Sequence, residues 1–89
     1  MAKFTPEARE HIIEQRLRSA FSPTQLYITD ESDLHAGHRG NLTGASHFYI
    51  QIASLVLAGQ SRLAQHRMIY HALQDLIPHD IHALRIRCI

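Results

Sequence analysis

The stretch "SHFYIQIASLVLAGQSRLAQHRMIYHALQDLIPHDIHALRIRCI" (Ser46–Ile89) decides the fold. In "SHFYIQIA" (Ser46–Ala53), Phe48, Ile50 and Ile52 alternate with His47, Tyr49 and Gln51. That period of two predicts a strand with one buried face. "LAGQSR" (Leu57–Arg62) turns the chain, and a short helical turn around Arg62 to His66 leads into a helix over "RMIYHALQDL" (Arg67–Leu76). Its apolar stripe is Met68 or Ile69 with Ala72, Leu73 and Leu76, and Pro78 stops it. "IHALRIRCI" (Ile81–Ile89) is a second strand, with Leu84, Ile86 and Cys88 opposite Arg85 and Arg87. A strand, a helical crossover and a strand form a right-handed unit, so the two strands are expected to be parallel neighbours.

Upstream, "FTPEAREHIIEQRLRSAF" (Phe4–Phe21) reads as a helix. Thr5 suits the N-cap, Pro6 the first helical position and Glu7 the first turn. Ile13, Leu17, Ala20 and Phe21 recur at helical steps with Ile12 alongside, and Ser22-Pro23 ends the element. "TQLYITD" (Thr24–Asp30) alternates as a strand with Leu26 and Ile28 on one face. Glu31 to Ala45 is polar, contains Gly37, Gly40 and Gly44, and predicts a long loop. The first two strands are most simply antiparallel. The expectation is one α+β domain spanning residues 1–89, ordered α-β-β-α-α-β. Its mixed three-stranded sheet has helices packed on one face, the layout of the KH fold in its bacterial form (class II).

Composition bounds what such a domain can do. A chain of 89 residues buries somewhat more than about 60% of its unfolded surface, enough for one core. Hydrophobic residues make up 45% and charged residues 19%, with a net charge of +1, which argues against a phosphate-binding surface from charge alone. A single cysteine, Cys88, excludes an internal disulfide and a thiolate-only metal site within one chain. No apolar run approaches a membrane span and the N-terminus lacks an apolar core, so a soluble cytoplasmic protein with no membrane partner is expected. Histidine is the anomaly, with eight residues, four of them between Gln65 and Leu84.

Catalysis finds little support. There is no G-x-S-x-G, no phosphate-cradling loop, and no serine or cysteine beside a plausible base, so the expectation is a non-enzyme. "HAGH" (His35, His38) and "HDIH" (His79, His82) are short-range pairs without zinc-finger spacing. The topology can bring the loop after the first strand to the start of the last one, so that His35 or His38 meets His82. Two imidazoles there make an incomplete site that needs ligands from elsewhere. The only G-x-x-G, Gly37 to Gly40, lies between the first two strands rather than between helices, where KH domains clamp a nucleic-acid backbone. Arg62, Arg67, Arg85 and Arg87 are the candidates for a nucleic-acid patch.

"AQHRMIYHAL" (Ala64–Leu73), together with "DESDLHAGH" (Asp30–His38), "SHFYIQIAS" (Ser46–Ser54) and "IHAL" (Ile81–Leu84), closely resembles the BolA family, over nearly the whole chain. Two departures are Gln65, where many members carry arginine, and Leu57, where an aromatic residue is frequent. The resemblance implies the KH-like fold and partnership with a monothiol CGFS-type glutaredoxin. It implies a [2Fe-2S] cluster shared with that partner, whose own cysteine and bound glutathione supply thiolates, and no cofactor in the isolated chain. Carried onto this sequence, the first ligand falls on His82 and the second on His35, with His38 as the alternative. His66 and Arg67 belong to the family signature and are candidates for the partner surface. The isolated protein is expected to be a monomer or weak homodimer. The second role the resemblance implies is DNA-binding transcriptional regulation.

Overall fold

A computed structural model describes residues 4–31 and 46–89. They form helix α1 (Pro6–Phe21), strands β1 (Gln25–Asp30) and β2 (Ser46–Ala53), helix α2 (Arg62–Ala72), a 3-10 turn (Gln74–Leu76) and strand β3 (Ile81–Cys88). The strands lie in the order β1-β2-β3. β1 runs antiparallel to β2, pairing Gln25 with Ala53 through Asp30 with Phe48, and β3 runs parallel to β2.

Each helix starts where its sequence supplies an acceptor for otherwise unpaired amides. Thr5 Oγ1 accepts from the Ala8 N–H and Pro6 opens α1, while Ser61 Oγ accepts from the Ala64 N–H at the start of α2. α1 ends on Ser22 at φ 43°, with its N–H on the Arg18 carbonyl. The Ser61 cap joins the short turn expected at Arg62–His66 to the helix beyond it, so α2 begins five residues before Arg67. α2 also ends earlier than the apolar stripe suggests. The Leu73 N–H is shared between the carbonyls of Ile69 and Tyr70, both at 3.2 Å, which tightens the last turn into the 3-10 segment. The expected turn and helix are therefore one α-helix, and only the end of the expected stretch, Gln74–Leu76, is a 3-10 turn that returns Leu76 to the core.

The core is the inner face of the sheet against one stripe of each helix. Ile13, Leu17 and Phe21 from α1 meet Phe48, Ile50 and Ile52 from β2. Ile69, Leu73 and Leu76 join the same cluster with Ile81 and Ile86 of β3, and every one of these is at most 8% exposed. Ala20, read as part of the α1 stripe, faces solvent instead. Leu57, in the turn after β2, is 1% exposed and fills its place without an aromatic ring. Burying each such side chain contributes about 1.5–3 kcal/mol. The opposite face of the sheet carries no helix among the described residues.

One irregularity shapes that open face. The β2–β3 register pairs Ser46 with Ile81 and then His47 with Ala83, so His82 is an extra residue at a β-bulge. Ile81 and Leu84 are three apart and strict alternation would put them on opposite faces. With the bulge, Ile81 is fully buried, Leu84 packs against the core, and His82 and Ala83 are both exposed.

Candidate site on the open face of the sheet

His82 stands at the bulge where β3 begins, and β2 presents His47 beside it. Their ring centroids are 5.2 Å apart with the planes tilted by 49°. His82 is exposed and His47 half-buried. Imidazole nitrogens are borderline ligands that suit iron, zinc and copper. Among the described residues no group of three His, Cys, Asp or Glu side chains converges on one point. The donor set that these residues offer is thus a pair of imidazoles, which suits a metal or cluster whose remaining ligands come from another molecule. His35 and His38, the candidates for a second ligand, lie outside the described residues. The chain leaves β1 at Glu31, whose N–H donates to the His47 carbonyl at 2.7 Å, and it re-enters the sheet at Ser46, next to His47. Both ends of the segment that holds those histidines therefore flank the His47–His82 pair.

Further along the same face the charge turns positive. Arg85 places its guanidinium carbon 3.7 Å from the centre of the Tyr49 ring and pairs with Glu31 at 2.6 Å. The hydrogen bonds that its guanidinium donates to the Glu31 carboxylate, more than the burial that opposes them, hold the Arg85 pKa above its ordinary value. Beyond it an open groove of about 570 Å³ runs along β3 toward α2, lined by Arg62, Gln65 and His66 on the helix side and by Arg85, Arg87 and Cys88 on the strand side. Arg62, His66 and Arg87 enter no ion pair with a described residue. Cys88 is half-buried, and removal from water pushes its thiol pKa up.

Three of the four arginines read as a nucleic-acid patch, Arg62, Arg85 and Arg87, share this groove with His66. Arg67 does not join them. Although adjacent to His66, it lines a different groove, between α1 and α2, with Phe21, Val56, Met68 and His71. Neighbouring residues on a helix are about 100° apart, so a two-residue signature serves two surfaces. His11, His71 and His79 are exposed.

Sequence reasoning placed His47 on the open face but assigned it no contact. Its approach to His82 depends on the bulge, and no residue pattern announces a bulge without knowledge of the pairing. Equally silent was a buried polar cluster built on Ser46 and Asp80, just ahead of His47 and His82 in their strands. Arg9, 5% exposed, donates from Nε to Asp80 Oδ1 at 3.3 Å and from Nη1 to Ser46 Oγ at 2.8 Å. Asp80, 1% exposed, also accepts from the Phe4 N–H at 2.9 Å, and its own N–H donates to the Leu76 carbonyl.

Comparison with known proteins agrees with this architecture. Residues 17–89 match the family model described as BolA-like protein. A Sinorhizobium protein named uncharacterized protein in cobS 5' region is 40% identical over 76 residues, covering 83% of this chain and 82% of its own. The DNA-binding transcriptional regulator BolA of Vibrio cholerae is 36% identical over 77 residues, covering 86% of this chain and 70% of that protein. Among solved structures, the BolA domain of SufE1 from Arabidopsis thaliana superposes with a TM-score of 0.80 at 36% identity, over 91% of this chain and 90% of that one. The whole SufE-like protein is much longer, and this chain spans 21% of it. The match runs from the middle of α1 through β3, with the sheet order and the bulge histidine inside it, and on these grounds the chain belongs to the BolA family.

Proposed function

We propose that this chain is an accessory protein of iron–sulfur trafficking or iron and redox regulation, which docks on a monothiol glutaredoxin and shares a [2Fe-2S] cluster with it. The observation that carries this reading is the exposed His82 at the bulge, with a second imidazole 5.2 Å away and no third ligand among the described residues. A site left incomplete on each partner makes the cluster the link between them, which suits cargo held for transfer or sensing rather than a catalytic centre. His82 is the first ligand and His35 the second, with His38 as its alternative. Neutral imidazole in place of thiolate removes negative charge from the cluster and raises its potential. The bonding nitrogen must be unprotonated, so the complex weakens as the medium turns acidic. The signature residue His66 and the cationic groove beside it offer a surface for the partner.

The test is a titration of the protein into a glutaredoxin homodimer loaded with [2Fe-2S], followed by visible circular dichroism, for wild type, His82→Ala, His35→Ala and His38→Ala. The expected outcome is a new spectrum at one-to-one stoichiometry, lost in His82→Ala and altered in one loop variant. An unchanged homodimer spectrum with wild-type protein sinks the reading.

A second reading is DNA binding, supported by the groove that gathers Arg62, His66, Arg85 and Arg87 and by the name of the Vibrio relative, a DNA-binding transcriptional regulator. Duplex affinity would then fall steeply with salt through counterion release and drop in Arg62→Ala and Arg87→Ala, whereas cluster sharing depends on His82 and little on salt.

A further inference from the structure

The Arg9–Asp80–Ser46 cluster sits at the one place where, among the described residues, the sheet's register breaks. Asp80 immediately precedes Ile81, Ser46 immediately precedes His47, and Ser46 and Ile81 are the last regular pair before the bulge. One guanidinium therefore ties β2 to β3 across that pair, while Asp80 also takes the Phe4 N–H ahead of α1. From the geometry we infer that this cluster is a positioning device. By holding Ser46 and Asp80 to Arg9 it fixes which residue of β3 is extruded, and so sets His82 beside His47.

Two physical arguments favour this over a role in stability alone. A buried ion pair gains little over apolar residues of the same volume, because both charges lose their hydration. Its best-attested use is to specify register. Here the register has a competitor. Extruding Ile81 instead of His82 would leave the pairing beyond Ala83 intact, but it would send the imidazole toward the core and the isoleucine outward. Asp80, anchored by its own N–H on the Leu76 carbonyl as well, leaves the chain little freedom to slip by that one residue. Groups that orient a ligand from behind are worth roughly 10- to 100-fold in metal affinity when removed.

The inference rests on His82 being a ligand only in its functional half. Its geometric half concerns the isolated chain, and the experiment reads the two separately. The variants are Arg9→Met/Asp80→Asn, which removes both charges and keeps an acceptor for the Phe4 N–H, and Ser46→Ala, which removes a single hydrogen bond and leaves the pair intact. Leu57→Ala, a core cavity at the far end of β2, is the control for lost stability without lost register.

In the isolated full chain, ring-to-ring nuclear Overhauser effects between His47 and His82 report the geometry. They are expected in wild type and in Leu57→Ala, lost in the double variant and weakened in Ser46→Ala. In the titration with cluster-loaded glutaredoxin, the double variant is expected to bind roughly 10- to 100-fold more weakly, with an altered dichroism spectrum, while Leu57→Ala shows the wild-type spectrum. Ring contacts and spectrum unchanged in a folded double variant would overturn the inference. If the double variant does not fold, an unchanged Ser46→Ala overturns it by itself. If wild type draws no cluster from the glutaredoxin, the proposed function fails, and the ring contacts alone decide the positioning role.

Discussion

The two faces of strands β2 and β3 are built from alternate residues of the same segments, yet they obey different rules. On the inner face, Phe48, Ile50, Ile52, Ile81 and Ile86 are sealed under α1 and α2. On the outer face, His47, Tyr49, Gln51, His82, Arg85 and Arg87 are half-buried or exposed. The inner residues are constrained by volume, since a packed interior has no room to relax around a missing group. Those outside are constrained by what their functional groups reach. Adjacent positions should therefore respond differently to the same kind of change. Phe48→Ala is expected to cost about 4 kcal/mol from lost burial plus the cavity left behind. That is a large share of a total stability of about 5–15 kcal/mol. Urea unfolding monitored by far-ultraviolet circular dichroism measures it, and a loss below about 1 kcal/mol would mean that the inner face is not packed as described.

The buried ion pair tests the boundary between the faces, because it lies inside yet works by charge. Asp80→Ala leaves the Arg9 guanidinium buried beside only Ser46 and is expected to cost about 3 kcal/mol, most of it from the stranded charge. The double variant Arg9→Met/Asp80→Ala should recover most of that loss. A double-mutant cycle in urea distinguishes the outcomes, and simple additivity would show that the two side chains do not interact in solution.

The inner face was legible in the sequence because hydrophobic period is a direct image of burial. The alternation in Ser46–Ala53, the helical steps of Ile13, Leu17 and Phe21, and the caps Thr5 and Pro6 all read correctly. Antiparallel and parallel pairing followed from connection length and crossover handedness. The extent of α2 did not follow. Its start was set by the Ser61 hydroxyl and its end by a shared amide of Leu73, and neither leaves a trace in the apolar stripe. The outer face was legible only as a list of residues. His82 stood out by its resemblance to a family motif, not by any period. Its neighbour across the strands was hidden by the bulge, and the Arg9–Asp80 contact joins positions 71 residues apart in the chain. Long-range polar contacts have no sequence signature of their own, because any arginine and any aspartate look alike until the backbone brings them together.

An outer-face change one residue beyond Phe48 should be mild. Tyr49→Leu keeps an apolar side chain but removes the ring under Arg85, whose guanidinium also pairs with Glu31. The expected loss is about 0.5 kcal/mol, the worth of a cation–π contact at an exposed site. An effect as large as that of Phe48→Ala would mean that the outer face is covered in solution, and the contrast between faces would fail.

The smallest effect belongs to Cys88, where the two environments meet, because its side chain packs against the core yet lines the cationic groove. Burial disfavours the thiolate and pushes the folded-state pKa up. Since the thiolate is the nucleophile, iodoacetamide should label Cys88 in the native protein more slowly than in urea-unfolded protein at neutral pH. The rate should rise with pH along a curve displaced to the alkaline side of the unfolded one. The same shift acts weakly on folding. A group whose folded pKa is raised contributes stability that is complete below its unfolded pKa, about 8.5 for cysteine, and that is lost as the pH rises through the folded value. Urea midpoints of wild type and Cys88→Ala should therefore keep a constant separation through neutral pH and converge only under alkaline conditions. Labelling as fast as in the unfolded chain would place the thiol in the groove's water and assign Cys88 to the outer face.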